Sequence, residues 1–121
     1  MKESIVRKKS YLFALRMIKA YKYLTQEQRE FVLSKQVLRS GTSIGALVKE
    51  AEHAQSRADF VNKMNVALKE ANETEYWLML LKDSEYIEEK SYNSIHQDCS
   101  ELIKLLASIV KTSKEIDDSK K

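Results

Sequence analysis

Apolar residues recur at steps of three and four through four stretches of the chain, so each stretch reads as an amphipathic helix. The first covers about residues 4–23, with Tyr11, Ala14, Leu15, Ile18 and Tyr21 as its core stripe and Leu12, Phe13 and Met17 as a second apolar surface. The second covers 26–55, where Leu33, Val37, Ile44, Leu47, Ala51 and Ala54 share a face with Ser40. The third covers 57–82. Phe60, Met64, Ala67, Ala71, Leu78 and Leu81 form its stripe, and Tyr76, Trp77 and Leu80 lie away from it. The fourth covers 88–115 and carries Tyr92, Ile95, Cys99, Leu102, Leu106, Ile109, Ser113 and Ile116. That alternation of threes and fours is a heptad seam, the spacing of helices packed at small crossing angles.

Polar residues mark the boundaries. Thr25-Gln26-Glu27-Gln28 has the form of a capping box opening the second helix, and Ser56 with Asp59 opens the third. Asp83-Ser84-Glu85-Tyr86 is the next turn, and Asp117–Lys121 is a polar tail expected to fray. The run Ser40-Gly41-Thr42-Ser43 would ordinarily be a loop, and a break there is the alternative. The apolar phase nevertheless continues from Val37 to Ile44, so the helix is expected to run through. Gly41 and Gly45 share a face and each weakens a helix by about 1 kcal/mol against alanine, which calls for a closely packed neighbour. Ala67 and Ala71 are small enough to be that neighbour.

With no proline and only two glycines, the chain lacks the turn residues that sheets need. The expectation is an all-α, up-down-up-down four-helix bundle formed by one domain, 1–121. The surplus apolar surfaces on helices 1 and 3 point to self-association. A single cysteine, Cys99, excludes an intrachain disulfide, the N-terminus lacks a secretory apolar region, and no run nears the ~18 apolar residues of a membrane span. A cytoplasmic protein without membrane contact is expected.

Charge is unevenly spread. Residues 1–24 hold Lys2, Arg7, Lys8, Lys9, Arg16, Lys19 and Lys22 against Glu3 alone. The segment is therefore +6, and since the chain is +3, the remainder carries −3. Lys8, Lys9, Arg16 and Lys19 lie on overlapping sides of helix 1 with no acid following in that helix, and with Arg39 and Lys49 they are the candidate contacts for a polyanion. Little else carries chemistry. Glu50-x-x-His53 occurs once, whereas a di-metal bundle needs two copies and two further glutamates, so no metal or cofactor is expected. Cys99 lies on the heptad seam as a small hydrophobe. There is no phosphate-binding loop or nucleophile motif, and an enzyme is not expected.

The run Leu38-Arg39-Ser40-Gly41-Thr42-Ser43-Ile44-Gly45-Ala46, followed by Glu50, Ser56, Phe60, Ala67-Leu68-Lys69-Glu70-Ala71 and Glu75-Tyr76-Trp77-Leu78, resembles the four-helix bundle proteins related to the 23S rRNA intervening-sequence protein. The likeness extends from Phe13 to about Ile109. It departs at Leu47 and Val48, where many members have asparagine and isoleucine. The resemblance implies a homopentameric ring without enzymatic activity. A relative, the accessory variability protein of diversity-generating retroelements, is thought to bind nucleic acid and a reverse transcriptase, so RNA or DNA and such a protein are the partners it implies. No member's functional residue transfers by position.

Two functions follow. One is an oligomeric nucleic-acid-binding accessory protein using the cations of helix 1. The other is a structural or protein-interaction module that binds no nucleic acid.

Overall fold

The computed structural model describes residues 2–119, apart from the side chains of Glu3 and residues 117–119. Four helices make up the fold: α1 (Lys2–Gln26), α2 (Leu33–Ala51), α3 (Arg57–Asp83) and α4 (Glu89–Ser119), with no strand among the described residues. Each packs on its sequence neighbours and α1 closes on α4, the thinnest of the four seams. Paired side chains fix an antiparallel course throughout. Arg7 meets Glu52 across α1–α2, Glu50 meets Lys63 across α2–α3, Glu75 meets His96 across α3–α4, and Lys9 meets Glu101 across α4–α1.

The second helix is shorter than the periodicity indicates, 19 residues rather than 26–55. Thr25 is not its cap. The Thr25 hydroxyl donates back to the carbonyl of Tyr21 at 2.8 Å, so these residues finish α1. Arg29 then takes a left-handed conformation, φ 56°, and reverses the chain. Val32 holds the N-cap position without a side-chain cap bond, and the capping group comes from Glu30, which is only 8% exposed. Its carboxylate accepts from the backbone N–H groups of Ser34 at 2.7 Å, Leu33 at 3.0 Å and Val32 at 3.2 Å. Those groups are donors that a helix start otherwise leaves unpaired. The start of α3 follows expectation: Ser56 Oγ accepts from the Asp59 N–H and Asp59 Oδ2 accepts from the Gln55 N–H. The expected turn at Asp83–Tyr86 is present, with Glu85 left-handed at φ 67°. α4 continues past 115 to Ser119. Lys120 and Lys121, the end of the tail expected to fray, lie outside the described residues.

α2 is continuous across Ser40–Gly45: the Thr42 hydroxyl donates to the Leu38 carbonyl, and Ser43 Oγ lies 2.8 Å from the Ser40 carbonyl. The glycines face α1, not Ala67 and Ala71. A Cβ on Gly41 would overlap Met17 Cγ and lie 2.8 Å from its sulfur, and one on Gly45 would lie 3.3 Å from the backbone oxygen of Ser10. Ala71 instead receives the Cys99 thiol from α4.

That close approach sets the phase of α1. Its buried stripe is Val6, Ser10, Phe13, Met17 and Leu24, whereas Tyr11, Leu15 and Ile18 are exposed. The stripe expected from the sequence is thus rotated by most of half a turn. Phe13 and Met17, expected as a second surface, belong to the core. The other three helices turn inward the faces their periodicity indicates, with Leu33, Leu47 and Phe60 half-buried, Val48 buried beside them and Ile116 exposed. The core also contains a hydrogen-bonded polar pair, Ser40 and Thr74, 2.8 Å apart.

Gly41→Ala should lower stability despite its better helix propensity. In a Met17→Ala background the same change should raise stability by up to about 1 kcal/mol, because the overlap is gone. A double-mutant cycle by urea unfolding measures this, and two independent effects would contradict the contact.

Burial pushes the Glu30 carboxyl up, but the N–H donors of Leu33, Ser34 and Val32 and the Ser34 hydroxyl together outweigh it and hold it below the usual glutamate value. A depressed carboxyl stabilises the fold above its unfolded pKa and loses that contribution as pH falls through the folded value. Glu30→Gln should cost about 0.5–2 kcal/mol at neutral pH, with the gap from wild type closing on acidification in parallel urea titrations.

Candidate nucleic-acid interface

The phase of α1 decides which of its cations meet acids. On the side turned to α4, Lys9 Nζ lies 2.8 Å from Glu101 Oε2. Arg16 Nη1 lies 2.7 Å from Asp98 Oδ2, and its other nitrogen donates to the Ser94 hydroxyl at 3.1 Å. The hydrogen bond and charge of Glu101 hold the Lys9 ammonium above its ordinary pKa. Lys2 reaches Ser108 on the same seam. The acids missing from helix 1 are therefore supplied by α4, which sequence order alone did not reveal.

Arg39 is also engaged. On the α2–α3 seam it contacts Glu70 at 2.9 Å and Glu73. Glu70 lies within hydrogen-bond distance of the Ser43 hydroxyl, and Glu73 accepts from the Trp77 indole N–H at 3.1 Å. Three of the six expected contacts, Lys9, Arg16 and Arg39, thus brace helix seams.

The other three differ. Lys8, Lys19 and Lys49 have no ion-pair partner among the described residues, and neither has Lys22. At 100° per residue, Lys8, Lys19 and Lys22 fall on the side of α1 opposite the Val6–Met17 stripe, interleaved with Tyr11, Leu15 and Ile18. No described acid of α1 lies on that side. Lys49 stands across the α1–α2 groove from Lys8, and both line it. The six residues therefore form no single patch. Lys22 and Tyr11 lie on the same outward side, although periodicity placed Tyr11 in the core stripe; the buried stripe passes through polar Ser10, which hides it from an apolar pattern.

Other candidate chemistry resolves into structure. Glu50 pairs with Lys63 at 3.5 Å and His53 is exposed. His96 Nε2 is 2.9 Å from Glu75 and stacks on Tyr92. Cys99 is fully buried, and burial, reinforced by the charges of Glu75 and Asp98, pushes its thiol up to about 12. Among the described residues no group of three or more His, Cys, Asp or Glu is arranged to hold a metal ion, and no helix is long and apolar enough to cross a membrane.

The family described as 23S rRNA-intervening sequence protein matches residues 2–108. A solved structure from Bacteroides thetaiotaomicron, a protein of unknown function from the S23 ribosomal protein family, is 62% identical and superposes with a TM-score of 0.91, covering 92% of this chain and 99% of its own. No curated protein matches the chain.

With the Cys99 thiol buried and its pKa raised, almost none is thiolate near neutrality. A disulfide reagent such as Ellman's should leave the native protein unreacted and titrate one thiol per chain after denaturation. Prompt reaction of the native protein would contradict the packing at Cys99.

Proposed function

This chain belongs to the 23S rRNA-intervening sequence protein family, and from that premise we propose that it is a non-enzymatic, oligomeric accessory protein that binds RNA or DNA. The observation that carries this reading is the set of unpaired lysines, Lys8, Lys19 and Lys22, on the outward side of α1, with Lys49 beside them on α2. Lysine contacts of this kind position a phosphate backbone without reading its sequence. Lys9, Arg16 and Arg39 contribute less, because each must first leave a carboxylate. A cytoplasmic location goes with this reading.

Assembly is the second element. Leu12 and Leu15 are exposed on α1, and Tyr76 and Met79 on α3. Phe31 and Val32, also exposed, lie at the end of the bundle where α3 finishes, since α2 and α3 are antiparallel. Two unlike apolar patches on one chain favour head-to-tail contacts, which close into a ring when the rotation permits. A pentamer is the ring the resemblance implies, and a ring multiplies a modest cationic patch.

The test is fluorescence anisotropy with labelled RNA and DNA across a salt series, with light scattering on the same samples. Binding should tolerate changes of sequence and weaken steeply with salt. Lys8→Glu, Lys19→Glu and Lys22→Glu together should remove most of it, whereas Lys9→Glu should have a smaller effect. Absence of binding at low salt would contradict the nucleic-acid reading and leave an interaction module. A monomer at micromolar concentration would contradict the ring.

A further inference from the structure

A groove lies open between α1 and α2. Gly45 and Ala46 from α2 and Ala14 from α1 line it, so no long side chain of theirs fills it. This open groove has a volume of about 550 Å³, within the range of small-ligand sites of about 300–1,000 Å³. Tyr11 also lines it and is 64% exposed. Lys8, one turn before Tyr11, and Lys49 from the opposite helix bring cations from both sides. Arg7 and Glu52 pair with each other at its end, 3.3 Å apart, so the acid there is already neutralised.

We propose that this groove binds a segment of single-stranded nucleic acid, with one base stacked on the Tyr11 ring and the flanking phosphates against Lys8 and Lys49. The inference rests on the nucleic-acid reading above and narrows it. A strand of lysines alone accepts duplex and single strand alike. An exposed aromatic ring with open space beside it and cations on two walls favours an unpaired base, since stacking is available to every base and only when it is free of its partner strand. The positive charge of both lysines argues against an apolar peptide, and the small side chains of Ala14 and Ala46 leave the groove open to a flat ring.

The probes are labelled oligouridylate and the same strand annealed to oligoadenylate, measured by anisotropy at low salt. Tyr11→Ala should weaken the single strand by about tenfold or more, as aromatic removal does at such sites, and leave the duplex unchanged. Tyr11→Phe should bind as wild type does, because stacking needs the ring and not the hydroxyl. Lys8→Ala with Lys49→Ala should flatten the salt dependence. Circular dichroism of Tyr11→Ala should match wild type, the residue being exposed. If Tyr11→Ala binds the single strand as well as wild type while the Lys8, Lys19 and Lys22 reversals abolish binding, stacking is refuted and the broader reading stands. If wild type binds neither probe, both fall. A change of assembled mass in Tyr11→Ala would show the groove to be a subunit contact and overturn the proposal.

Discussion

The close approach of α1 to Gly41 and Gly45 governs the rest of the molecule. Met17 occupies the space where a side chain on Gly41 would stand, and the backbone at Ser10 lies against Gly45. Backbones that near leave no rotational freedom to α1, because interiors pack at crystal-like density and tolerate little change in shape. Once Ser10 and Met17 face α2, Val6, Phe13 and Leu24 must face the core, and Tyr11, Leu15 and Ile18 must face out. The glycines weaken α2 as an isolated helix, and the packing they permit offsets that loss. The open α1–α2 groove is the outer margin of the same contact.

Polar seams complete the arrangement. On one side Arg39 joins Glu70 and Glu73, with Ser43 and Trp77 sharing the same carboxylates; on the other, Lys9 and Arg16 join Glu101 and Asp98. These pairs are largely exposed, and each contributes modestly to stability. Their larger effect is on charge. They consume the cations that face neighbouring helices and leave uncompensated those that face outward. A helix that is +6 in sequence therefore presents its net charge as a narrow band of lysines mixed with apolar side chains, and that band adjoins the groove.

Much of the fold was legible beforehand. The heptad seam of α4, the Ser56 cap, the turn near Glu85 and the passage of α2 through Ser40–Gly45 all follow from periodicity and turn chemistry. The phase of α1 was not. It carries apolar residues on nearly every side, and its buried stripe includes Ser10, so a search for the most apolar face selects Tyr11, Leu15 and Ile18 instead. The start of α2 was hidden for a similar reason: Thr25 has the residue type of a cap, yet a buried glutamate outside the usual cap residues, Glu30, does the capping. The candidate site was legible as residue types and not as a surface. Which helix 1 cations are paired depends on distant acids, 92 residues away for Lys9 and 82 for Arg16, which no local pattern records.

Contact with the α2 glycines sets the rotation of α1 and thereby turns its lysine face outward. Thiol accessibility tests this most directly and leaves the glycines intact. In a Cys99→Ala background, Ser10→Cys should resist Ellman's reagent in the native protein, because Ser10 is only 1% exposed against α2. Tyr11→Cys, at a position 64% exposed, should react promptly. The opposite result, a reactive thiol at position 10 and a protected one at position 11, would place the other face of α1 against α2 and contradict this packing.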